Sequence, residues 1–158
     1  MLTLCLNLEG LQHSQWANWD FNSMAKVGGK YVGASENGIY EIDTGGHDDG
    51  APIEAFFELP TSDWGVSFQK RIRSFYVGYE TDGGDLALTA RDDEGRERTY
   101  LLKANHSGNL QHGAKVFGAR DCKGRYWMIR IDNINGTDFS IDHIEVVPVI
   151  LGRKPSGA

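Results

Sequence analysis

Short runs of alternating apolar and polar residues recur along this chain, and they predict strands. Leu2, Leu4, Leu6 and Leu8 share one face of the first run, with Thr3, Cys5 and Asn7 on the other. A period of two is that of a half-buried strand. From Gln15 to Phe21 the apolar residues fall at irregular spacing. Met24–Val27 and Lys30–Ala34 then flank Gly28-Gly29, and Asn37-Gly38 leads into Ile39–Ile42. Both are hairpin signals, so residues 24–42 read as a tight meander.

A polar loop follows from Thr44 to Gly50, and strand character returns from Pro52 to Leu59, with Phe56 and Phe57 on opposite faces. Phe68–Glu80 predicts a long strand with Arg71, Arg73, Phe75, Val77 and Tyr79 on one side. Leu86–Ala90 and Arg98–Leu102 form a hairpin around Asp93-Glu94-Gly95. Residues 104–113 read as loop and Ala114–Ala119 as a short strand. Gly124–Asp132 alternates Arg125, Trp127, Ile129 and Ile131 against Tyr126, Met128 and Arg130. In Asp138–Val149 the apolar phase inverts between Ile141 and Ile144, which predicts a bulge near Asp142-His143.

No window carries a helical stripe. Strand signals every 8–12 residues point to an all-β fold, an antiparallel β-sandwich or barrel-like meander. The expectation is a single β domain over residues 1–151 and a flexible tail over 152–158. Twenty glycines, 11% aromatics and four prolines in 158 residues agree with short strands and glycine turns.

The net charge of -6 disfavours direct nucleic-acid contact, because counterion release needs clustered Lys and Arg. No apolar run approaches the length of a membrane helix, and the N-terminus lacks the pattern of a signal peptide. Those features fit a chain made and kept in the cytoplasm or released without a signal peptide. Cys5 and Cys122 have no metal-type spacing, and two free thiols are the simpler expectation over a disulfide.

Local spacing reveals no catalytic residues, no metal site and no cofactor. Gly28-Gly29-Lys30 lacks the first glycine and the hydroxyl residue of a phosphate loop. His13, His47, His106, His112 and His143 form no metal-binding pattern. The loop with Asp43, Asp48 and Asp49 departs from a calcium loop at Gly45 and His47. Asn105-His106-Ser107 and Asn135-Gly136-Thr137 match a glycosylation sequon but read as turns. Arg71, Arg73, Phe75 and Tyr79 form a candidate interface strip, set against the plainer reading of arginine stems covering a strand edge. Trp16, Trp19 and Trp64 are candidate platforms for stacking on a sugar.

An ordered series of short motifs carries a resemblance. Asp20–Met24, Gly29–Ala34 and Gly38–Ile42 are followed by the acidic Asp48-Asp49-Gly50 and the apolar Ala51–Ile53. Lys70-Arg71 leads to Tyr76-Val77-Gly78, and the series closes with Arg125-Tyr126-Trp127 and Asp138–Asp142. Across residues 18–151 this order resembles a class of tailed-bacteriophage virion proteins. The resemblance implies a non-enzymatic structural component of a tail or baseplate, made in the host cytoplasm and carried in the virion. It would act through contacts with other tail proteins, as a homo-oligomer or ring, with no cofactor. Two alternatives stay open. One is a carbohydrate-binding module at the tail tip that uses the tryptophans. The other is a small β-sandwich hydrolase with a site assembled from distant strands.

Overall fold

The computed structural model describes residues 2–42, 45–48, 50–104 and 110–152, with backbone alone for residues 2 and 110–112. The fold is all-β: fourteen strands in antiparallel sheets, with no helix and no closed barrel among the described residues. The chain gathers into two compact units, residues 1–45 and 46–158.

The first unit holds a hairpin and a meander. β1 (Leu2–Leu6) pairs with β2 (His13–Ala17), and β3 (Ser23–Val27), β4 (Lys30–Ser35) and β5 (Gly38–Ile42) form a three-stranded sheet in chain order. Gly28 and Gly29, at φ 59° and 87°, fill the two-residue turn between Val27 and Lys30. Two consecutive positive φ values define the primed turn whose twist matches its strands. The next turn is displaced by one residue from expectation: Ser35 pairs with Gly38, so Glu36 and Asn37 make the corner.

The second unit begins with the two-residue ribbon β6 (His47–Asp48) and β7 (Ala51–Pro52). Its body is a sandwich. One sheet has the order β11 (Glu97–Leu102), β10 (Leu86–Asp92), β13 (Trp127–Asn133), β8 (Phe56–Glu58). The other has β12 (Leu110–Phe117), β9 (Gln69–Thr81), β14 (Phe139–Gly152). Leu86, Leu88, Ala90, Ile129 and Ile131 from the first face Ile72, Phe75, Val77 and Tyr79 from the second in one buried core. Each such side chain contributes about 1.5–3 kcal/mol when fully buried. Tyr100 joins the layers: its ring lies 5.7 Å from Phe75 and its hydroxyl accepts from the Ala119 amide at 2.9 Å.

β14 carries the expected bulge, since pairing with β9 jumps from Ile141 to His143 and leaves Asp142 unopposed. Of the stretch read as loop, residues 110–113 belong to β12, and 105–109 lie outside the described residues. The expected tail is likewise outside them beyond Gly152, which ends β14.

Candidate interaction surface

The predicted interface strip is divided by a second bulge. Pro148 of β14 pairs with Ile72 and Val147 with Ser74, so Arg73 has no opposite residue there. That extra residue shifts the phase of β9: Ile72 faces inward, and so do Phe75, Val77 and Tyr79. Phe75 and Tyr79 are fully buried, while Arg73 is exposed and Arg71 half-buried. The four residues therefore share no surface, and the strip is corrected to a pair of rim arginines beside a core strand. Only unbroken alternation across Arg73 would keep all four on one face.

The tryptophans are also separated. Trp64, in the second unit, packs half-buried against the core, with the Lys70 ammonium 5.9 Å from its ring. Lys70 is itself 1% exposed, and its Nζ donates to the carbonyls of Val66 at 2.8 Å and of Arg125. Burial lowers its pKa from 10.5, opposed by the charges of Asp63 and Asp93. Nothing in local spacing distinguished this lysine from a solvated one. Its partners are main-chain carbonyls, one of them 55 residues away.

In the first unit, Trp16 meets Trp19 edge-on at 4.6 Å, Trp19 meets Phe21 at 5.0 Å, and Phe21 leans on Tyr40 at 6.1 Å. All four rings are half-buried. The Phe21 ring lies over Gly33, where a Cβ would come within 2.6 Å of it. This file of rings connects the hairpin to the meander. The residues facing the same way as Trp16 across the hairpin, Thr3 and Cys5, are half-buried too.

The opposite face of the hairpin is open. Leu4 is 67% and Leu6 57% exposed, with Leu8 and Leu11 at the tip still more so. Gln15 and His13, which pair with Leu4 and Leu6, are exposed as well, and so is Ala17, which pairs with Leu2. The leucine face was expected to be the half-buried one; the half-buried face is instead that of Thr3, Cys5 and Trp16. The meander leaves Met24 and Tyr31 exposed on the Gly33 face and Val27 and Ile39 exposed on the other. Among the described residues of the first unit, Gly33 alone is buried.

Two smaller features lie in the second unit. The outer face of β12–β9–β14 carries Lys115 over the rings of Tyr76 and Phe117, at 4.9 and 5.1 Å. A groove of about 430 Å³ opens between Phe57 and Leu59 on one side and β14 at Phe139–Ile144 on the other. Asp142 and His143 stand at this groove, but no group of three metal-binding side chains occurs among the described residues. Asp48 lies in β6, whereas Asp43, Asp49 and the sequon at 105–107 fall outside the described residues. Asn135 sits in a turn at φ 54° beside the buried Thr137. Cys122 is buried and Cys5 half-buried, both as free thiols. No described helix is long and apolar enough to cross a membrane.

Compared with known protein families, curated proteins and solved structures, the chain matches none.

Proposed function

We propose that this chain is a structural component of a bacteriophage tail or baseplate, working through protein–protein contacts in a ring-like assembly. The observation that carries the reading is the state of the first unit. It orders five strands yet buries a single described residue, a glycine. Exposed apolar surface on that scale marks a surface meant to be covered. The ordered motif series from Asp20 to Asp142 supports a virion tail as the setting. The role requires no catalytic residue and no cofactor, and the protein would be made in the bacterial cytoplasm before entering the particle.

The test is peptide mass spectrometry of purified phage particles whose tails have been separated from their heads. The expected result is the chain in the tail fraction at a fixed ratio to other tail proteins. Absence from intact particles would overturn the reading.

A further inference from the structure

The two sheets of the sandwich are unequal, four strands against three. Leu88 of β10, Ile131 of β13 and Phe57 of β8 stand side by side in one row of the larger sheet. Leu88 and Ile131 are fully buried, but Phe57 is 42% exposed. Cover runs out at β8 because the facing sheet ends one strand earlier, at β14. We infer that one extended segment of a partner protein, apolar at alternate positions and carrying Lys or Arg, adds to the free edge of β14 as the missing strand. The inference rests on the structural role proposed above only in taking the partner to be a protein.

Three features of the place define its occupant. The first is backbone. β14 pairs with β9 on one side and has no ladder partner on the other among the described residues. Pro148, with the register shifts at Val147 and Ile150, blunts the edge toward Gly152, whereas Phe139–Val147 holds no proline and a single bulge. An edge of that kind pairs with an extended chain. The second feature is the groove of about 430 Å³ along this edge, with Phe57 and Leu59 on one side and Phe139, Ile141 and Ile144 on the other. Side chains alternate across a strand, so every second residue of the added segment points into it. The third is charge. Asp142 stands at the groove, Glu80 and Asp138 line a hollow of about 200 Å³ beside Phe139, and neither lining includes Lys or Arg. Cations on the segment meet this rim.

Together these select a strand over other occupants. A compact apolar ligand would fill the groove but leave the ladder edge and the carboxylates to water. A second copy is a poor donor, because the apolar alternating segment of this chain, β1, is paired with β2 and has no Lys or Arg.

The experiment uses the full chain and three synthetic peptides of about nine residues, with Val, Leu or Phe at alternate positions, Thr between them and Lys at both ends. Fluorescence anisotropy should show saturable binding of at least one. For that peptide, gathering the apolar residues into one block should weaken binding by about 10-fold or more. Methylating one alternate set of amide nitrogens should abolish binding and methylating the other should leave it, because only one set faces β14. Glu in place of the terminal Lys should weaken binding about fivefold, a gap that salt should narrow. Phe57→Asp should weaken it by about 10-fold or more, and Asp138→Ser/Asp142→Ser, which leaves the core untouched, should remove most of the preference for Lys over Glu. Far-UV circular dichroism confirms that the variants fold, and Phe117→Glu, on the outer face of β12, should leave binding unchanged. Bound peptide should slow amide exchange in Phe139–Val147.

Binding of no peptide below about 1 mM would overturn the inference, as would equal effects of the two methylation patterns. Equal affinity for the Lys-ended and Glu-ended peptides would overturn it as well. The tail-fraction measurement decides the structural role independently of all three.

Discussion

β1 and β10 are near-equivalents in sequence and opposites in environment. β1 reads Leu-Thr-Leu-Cys-Leu and β10 begins Leu-Ala-Leu-Thr-Ala. Leu86 and Leu88 of β10 are fully buried, whereas Leu4 and Leu6 of β1 stand mostly in solvent. The strands themselves do not explain this. β10 lies between β11 and β13 in a four-stranded sheet, and a second sheet closes over its inner face. Among the described residues β1 has one neighbour, and the side covered within its unit is the Trp16 side. Alternation fixes which residues share a face; the number of layers decides whether that face is inside.

The sharpest way to break the comparison is to truncate the buried member. Leu88→Ala should cost about 2–5 kcal/mol, the transfer loss plus the cavity left in a core that relaxes only in part. Urea unfolding followed by circular dichroism measures it. A cost below about 1 kcal/mol would mean that the sandwich core tolerates a void as readily as the first unit tolerates exposure.

Within the first unit, the place most sensitive to change should be the contact of Phe21 with Gly33. Gly33→Ala puts a methyl group where the ring now sits, at 2.6 Å, so the ring has to move. Overpacking of this kind costs about 1–3 kcal/mol. Displacement of Phe21 should also disturb the Trp19 and Trp16 rings, read as a change in near-UV circular dichroism. An unchanged spectrum would show that the file of rings does not act as a unit.

A pH titration sharpens the contrast from the other side. Burial raises the Tyr79 phenol above 10.0, reinforced by the charge of Asp85, and raises Tyr100 above 10.0 and Cys122 above 9.0 in the same way. These groups ionise more easily unfolded, so the stability they support is complete below those values and is lost as pH climbs through the raised ones. Lys70 has the opposite sign: its lowered pKa adds stability as pH rises toward 10.5. Cys122 should therefore begin to weaken the second unit above about pH 9 and the two tyrosines above about pH 10, with Lys70 acting against them up to 10.5. Tyr79→Phe should cost about 1 kcal/mol at neutral pH, by removing the 2.7 Å bond to the Lys103 carbonyl, and should flatten the alkaline slope. A slope unchanged in this variant would remove Tyr79 from the account.

The sequence showed much of the second unit and little of what distinguishes it from the first. The hairpin around Asp93–Gly95, the inward row Trp127, Ile129 and Ile131, and the bulge at Asp142 were all legible, because turn chemistry and phase are local. The bulge at Arg73 was not. Ile72 and Phe75 stand three apart, as Ile141 and Ile144 do, but Tyr76 continues the even row from Ile72, so unbroken alternation fits equally well until the pairing with Val147 and Pro148 is known. Burial of Lys70 and openness of the leucine face were hidden for the same reason. Each depends on a layer or a carbonyl supplied from elsewhere in the chain.

The smallest expected effect is also the most discriminating. Leu4→Ala in dilute solution should change the folding stability of a single chain by no more than about 0.5 kcal/mol, as for a surface substitution. The urea titration used for Leu88→Ala measures it. A cost as large as that of Leu88→Ala would place Leu4 inside its own fold, and the contrast between β1 and β10 would disappear.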